Sequence, residues 1–92
     1  MTVEDVFLIM GKGTVVTGKI QSGICHIDEE CLLEQSSGNI NTTILWIDIH
    51  TKQRRPNNEA YKGEHVGLLL KGVLREQVEV GGKVTIKNSK KD

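Results

Sequence analysis

Between its ten glycines and single proline, this chain carries only short runs rich in β-branched residues. No window of about a dozen residues keeps the period of an amphipathic helix. A chain without that period cannot bury an apolar helix face, so strands must build the core. The runs predict strands over 2–10, 13–22, 25–27, 31–35, 40–50, 65–71 and 84–87. Gly11-Lys12 links the first two, and Ser36-Ser37-Gly38-Asn39 reads as a loop. In 40–50 the alternation puts Ile40, Thr42, Ile44 and Trp46 on one face and Thr43, Leu45, Ile47 and Ile49 on the other. Residues 52–62 are polar around Pro56-Asn57-Asn58 and read as a long loop. Six or seven short strands with glycine turns predict an all-β fold, a closed barrel or a sandwich, and a barrel removes free strand edges. Ile27-Asp28-Glu29-Glu30-Cys31-Leu32-Leu33 and Val80-Gly81-Gly82-Lys83-Val84-Thr85-Ile86 share one pattern, which predicts two similar β-turn-β corners.

The 92 residues make one domain, placed at 1–87, with 88–92 as a frayed tail. Twelve Lys and Arg balance twelve Asp and Glu, which excludes a strongly basic nucleic-acid coat and an acidic mimic. The longest apolar runs are too short to cross a bilayer. Glu4 and Asp5 stand where a signal peptide needs positive charge, so none is expected and the expected location is cytoplasmic. Two cysteines, Cys25 and Cys31, are too few for a disulfide framework and fit a reducing compartment.

Several motifs invite chemistry and fail on inspection. Gly13-Thr14-Val15-Val16-Thr17-Gly18-Lys19 matches the opening of a phosphate-binding loop, but Ile20 stands where Ser or Thr must hold magnesium. The surroundings are strand, not a helix N-terminus. Gly18 reads instead as easing a bend or bulge. Cys25, His26, Cys31, His50 and His65 match no zinc spacing, and Cys25 and His26 alternate to opposite faces. Cys31 reads as a small core residue. Glu4 and Asp5 alternate in the same way, which excludes a paired-carboxylate hydrolase. The expectation is therefore no enzyme, no catalytic residue, no metal and no cofactor. Lys52, Arg54, Arg55 and Lys62 cluster charge in one loop. The favoured reading is a solvated loop, because no aromatic residue interleaves. The other is phosphate contact by Lys52, Arg54 and Arg55.

Val3-Glu4-Asp5-Val6-Phe7, then Gly11-Lys12-Gly13-Thr14-Val15-Val16-Thr17-Gly18-Lys19-Ile20 and Gly23, form a specific series. Gly63-Glu64-His65-Val66-Gly67-Leu68-Leu69-Leu70-Lys71-Gly72-Val73, Arg75-Glu76 and Val80-Gly81 continue it. In order and spacing, over residues 3–87, this resembles domain 2 of elongation factor Tu and its translational GTPase relatives. The resemblance implies a six-stranded closed antiparallel Greek-key barrel. It does not carry GTPase activity, because the GTP-binding domain that precedes this barrel in the family has no counterpart in the chain. In the family the barrel forms one wall of the cleft that holds the aminoacylated 3′ end of transfer RNA. The resemblance thus implies a non-catalytic binding module in protein biosynthesis. Its implied partners are the aminoacyl-tRNA acceptor end or the ribosome, a GTPase domain or another protein, and no membrane.

Carried over position by position, the resemblance sets Glu4, Asp5 and Phe7 at the pocket for the terminal adenosine. Thr17 falls at the same cleft, and His50 at a position beside the amino-acid side chain. His65 replaces an asparagine of that pocket, and imidazole is bulkier and titrates near neutral pH. Trp46 stands where the family has a small residue, Asp28 replaces a turn glycine, and the 51–62 loop is longer. These departures imply a retained fold with a drifted surface. By composition alone Phe7 would be core; with the resemblance, core and site both stand. The alternative function is a barrel scaffold that docks a protein through Trp46 and the 52–62 loop.

Overall fold

The computed structural model describes residues 1–21, 24–49 and 59–87. The chain is all-β: β1 (Asp5–Ile9), β2 (Gly13–Lys19), β3 (Ile24–His26), β4 (Glu30–Gln35), β5 (Gly38–Ile49), β6 (Glu59–Tyr61), β7 (His65–Leu70) and β8 (Lys83–Ile86). Among the described residues one 3-10 turn, Arg75–Gln77, interrupts them. Among the described residues no helix is long and apolar enough to cross a membrane. Six strands form an antiparallel sheet in the order β1-β2-β7-β5-β4-β8, and β3 pairs with β6 in a second, two-stranded sheet. The strand β6 falls inside the stretch expected to be a loop. It forms because Ala60 packs fully buried opposite Cys25, a pairing no local signal announces.

Alternation builds the core. Val16, Leu68 and Ile47 stand side by side on β2, β7 and β5 and are fully buried, and Thr14, Leu70 and Ile44 repeat the pattern one step along. Leu33, Cys31 and Val84 close the core from β4 and β8. Burial of a Leu or Ile side chain contributes about 1.5–3 kcal/mol, so this inward set dominates the stability. Cys31 is core, as its apolar position in the sequence implies.

The expected first strand, 2–10, divides into two pieces with different partners. Met1 to Val3 pair with the far edge: Val84 N–H donates to the Met1 carbonyl (2.7 Å), Val3 N–H to that of Gly82 (2.8 Å), and Thr2 bridges Lys83. From Asp5 onward the chain pairs with β2. The N-terminal segment thus bonds to the edge strand β8 while the chain that follows bonds to β2, although the described ladders leave the sheet itself open.

Gly18 makes no bulge against β7, with which β2 pairs without a register shift. It makes room: a Cβ there would overlap the Thr2 carbonyl oxygen and lie 2.8 Å from the Met1 side chain. The bulge is on β5 instead. Ile44 pairs with Leu70 and Trp46 with Leu69, leaving Leu45 as an extra residue. Here β5 leaves its ladder with β4, and Ile44 exchanges hydrogen bonds with the corner at Asp28 and Glu29 (2.6 and 2.9 Å). A bulge inverts alternation beyond it. Trp46 and Leu45 therefore both face outward, and the expected face shared by Ile44 and Trp46 does not exist.

The two corners with a shared pattern lead into neighbouring strands, with Cys31 opposite Ile86 and Leu33 opposite Val84. Both turn through a left-handed residue at the same place in the pattern, Asp28 at φ 74° and Gly81 at φ 95°. Asp enters this region more readily than most residues, which is how it stands in for glycine.

Candidate functional site

Strict alternation fixes which side chains leave the sheet. Since Val16, Leu68 and Ile47 point inward, their neighbours point outward. One outward row crosses four strands as Phe7, Val15, Leu69 and Trp46. The next is Asp5, Thr17, Gly67 and Asp48. A third sets Lys19 opposite His65. The sheet thus presents one apolar row beside one of carboxylates and a hydroxyl.

Glu4 joins this face despite its expected opposite direction. β1 begins at Asp5, but Glu4 N–H already donates to the carbonyl of Thr17 (2.8 Å), the residue opposite Asp5, and Glu4 Oε1 lies 3.6 Å from His65 Nε2. Both side chains are more than half exposed, so the pair orients more than it stabilises. Five of the six residues assigned to the adenosine and amino-acid pocket, Glu4, Asp5, Phe7, Thr17 and His65, therefore share one outer face of β1, β2 and β7. His50, Lys52, Arg54 and Arg55 lie outside the described residues.

Phe7 is 51% exposed and Trp46 50%, so neither is a core residue. At Gly67 neighbouring side chains close over the backbone. A Cβ there would lie 3.1 Å from Val15 Cγ1, 3.7 Å from Thr17 Cγ2 and 3.9 Å from Asp48 Cβ. Gly67, Val15, Leu69 and Asp48 complete the surface and were not singled out from the sequence as site residues. Only the cross-strand register reveals them, since they lie on strands far apart in the chain.

The other polar clusters have structural work. His26 Nε2 lies 3.1 Å from Glu59 Oε2, and Glu29 Oε1 accepts the His26 backbone N–H at 2.7 Å, which ties β3 to β6 and to the following corner. Cys25 is buried while His26 is partly exposed, as alternation requires. Burial pushes both thiols from an ordinary value of 9.0 to about 11, with Glu29 adding to the effect at each. A thiol held protonated is a poor nucleophile and a poor metal ligand. Among the described residues no three His, Cys, Asp or Glu side chains gather to hold a metal ion. A groove of about 600 Å³ runs between the β4–β5 turn and the turn at 79–82. Its walls are latched together by Ser36, which donates from Oγ to Glu79 Oε1 at 2.8 Å, and by Gln35, whose Oε1 accepts from Glu79 N–H at 2.8 Å.

An antiparallel all-β domain with an acidic and apolar outer sheet face is the class these observations define. No protein-family model matches the chain.

Proposed function

We propose that the chain is a non-catalytic, translation-factor-like binding module of the cytoplasm. Its outer face on β1, β2 and β7 takes the aminoacylated 3′ end of a transfer RNA. The carrying observation is the gathering of Glu4, Asp5, Phe7, Thr17 and His65 on that one face, with Phe7 half exposed. A terminal adenosine needs an apolar surface for its base and acceptors for its hydroxyls and amine. Phe7 and Val15 offer the first, and Asp5, Glu4 and Thr17 the second. The carboxylates on this face would repel a run of phosphates, which favours the nucleoside end of a strand over its backbone.

The same reading makes the fold a closed Greek-key barrel. Supporting it, the Met1–Val3 segment bonds to β8 while the chain that follows bonds to β2. Binding by the lone domain is weak. One base stack contributes about 1–3 kcal/mol and two hydrogen bonds about 1–3 more, which is roughly millimolar. A GTPase domain or the ribosome would supply the remaining affinity.

The test is an amide NMR titration with a short acceptor-stem RNA ending in CCA, free and aminoacylated. Shifts gathered at Asp5, Phe7, Thr17 and His65, larger with the aminoacylated form, support the reading. A face that stays silent up to millimolar RNA ends it. A second reading, a protein-docking scaffold, is favoured by the row Phe7, Val15, Leu69, Trp46 with its half-exposed tryptophan. It expects Trp46→Ala to abolish capture of a protein partner and to leave RNA shifts intact.

A further inference from the structure

We propose that Trp46 and Asp48 form a second nucleobase site, which takes the unpaired base next to the terminal adenosine. This deepens the RNA-end reading above and rests on it. The row Phe7, Val15, Leu69, Trp46 has an aromatic ring at each end, each half exposed. Three interstrand steps of about 4.8 Å set the two rings about 14 Å apart along the row. One purine covers one end and leaves the other bare.

The two ends are built alike. On β1, Asp5 lies two residues from Phe7. On β5, Asp48 lies two residues from Trp46, with Ile47 fully buried between them. Asp5 and Asp48 belong to the same neighbouring row, and both are exposed. Each end thus offers an apolar ring with a carboxylate about 7 Å along the strand. A base stacked on such a ring turns its edge to the carboxylate. A carboxylate accepts hydrogen bonds and donates none, and its two oxygens serve more than one donor. It fits the exocyclic amine of cytosine or adenine and repels the carbonyl that uracil carries at the same place.

A protein anchor needs the apolar row alone. The ring-and-carboxylate pair occurs twice, and a nucleic-acid strand presents bases one after another, so the repeat favours two consecutive nucleotides. The phosphate between them has a side to lie on. Along β7, Gly67 belongs to the carboxylate row and Leu69 to the apolar row, and the exposed Lys71 follows on the border away from the carboxylates. Base edges toward Asp5 and Asp48, with the linking phosphate toward Lys71, satisfy both charges at once.

The test is NMR of the full chain, read at the amide of Phe7 and the indole N–H of Trp46, the single tryptophan. The probes are adenosine, CpA and UpA. Adenosine is expected to shift Phe7 and leave the indole unmoved. CpA shifts both and binds about tenfold tighter, the contribution of one added base stack. UpA binds about as weakly as adenosine. Trp46→Ala returns CpA to the affinity of adenosine, and Trp46→Phe keeps most of the gain. Asp48→Asn adds an N–H donor and narrows the preference for CpA over UpA. Lys71→Ala weakens CpA and leaves adenosine unchanged. Amide dispersion checks that each variant is folded, and Trp46→Phe decides if Trp46→Ala is not. Shifts at Phe7 with a silent indole overturn the second site and leave the RNA-end reading standing, even if Trp46 anchors a protein. A CpA affinity indifferent to Trp46→Ala does the same, as does equal binding of CpA and UpA. Silence at both Phe7 and Trp46 with every probe up to about 10 mM ends the RNA-end reading and this site with it.

Discussion

The carbonyl oxygen of Thr2 lies against the α-carbon of Gly18, so close that no side chain fits between them. This contact lets the N-terminal segment cross β2 on its way to β8. The obstacle to a larger residue is backbone, not the end of a flexible side chain, so relief requires the whole segment to move. Gly18→Ala is expected to destabilise by about 1–3 kcal/mol in urea unfolding. Hydrogen exchange should localise the damage at the Val84 N–H, whose acceptor is the Met1 carbonyl.

Phe7 separates a site residue from a core residue. Phe7→Ala is expected to cost under about 1.5 kcal/mol because half of the ring is already in water. Leu33→Ala, with Leu33 fully buried, is expected to cost about 2–5 kcal/mol. If the RNA-end reading holds, the smaller change removes the titration shifts and the larger one leaves those of the surviving fold in place.

Gly67 tests the close packing at the centre of the face. Its Cβ would meet Val15 at 3.1 Å, a contact that a small shift of one methyl relieves. Gly67→Ala is expected to change stability by no more than about 1 kcal/mol while weakening RNA-end shifts about tenfold. Equal losses in thermal melting and binding would mean the face carries no ligand.

Cys25 and Cys31 set a window for alkaline unfolding. Their thiols are raised by burial from 9.0 to about 11 in the fold, so the unfolded chain loses these protons first. The stability they contribute is complete below about pH 9 and is lost as pH rises toward about 11. Urea unfolding should show a loss of a few kcal/mol over that range, about 1.4 kcal/mol per pH unit per thiol at most. Iodoacetamide at about pH 8 should modify neither residue in the folded chain and both in urea.

Asp28 holds φ 74° in the corner that bonds to Ile44. A β-branched residue cannot adopt this conformation cheaply, so Asp28→Val is expected to cost about 1–2 kcal/mol. Asp28→Gly should be neutral or stabilising by up to about 1 kcal/mol in the same measurement.

The all-β class was legible because strand patterning is local. The runs around Val16 and Leu33 alternate whatever they pair with, the run around Leu68 is continuously apolar, and the glycine turns separate them. The corner at Asp28 was equally legible, since its residue pattern repeats at Gly81 and a turn is decided by a few neighbours. The face assigned to Trp46 was not. A single extra residue at Leu45 reverses every side chain beyond it, and the bulge arises where β5 passes from β4 to β7. The direction of Glu4 failed for a related reason, because Glu4 bonds to Thr17, the residue already opposite Asp5, and alternation does not survive where two residues share one partner.

By itself the sequence determined most of the strand-forming segments and turns and the burial of Cys31. Those follow from side-chain shape and polarity at each position. The tertiary structure alone decided that residues 1–3 leave β1 for β8, that β6 forms opposite β3, and that Phe7, Leu69 and Trp46 meet in one exposed row. Each depends on which strand lies alongside. That choice is made by packing between residues far apart in the chain, where local preference carries no information.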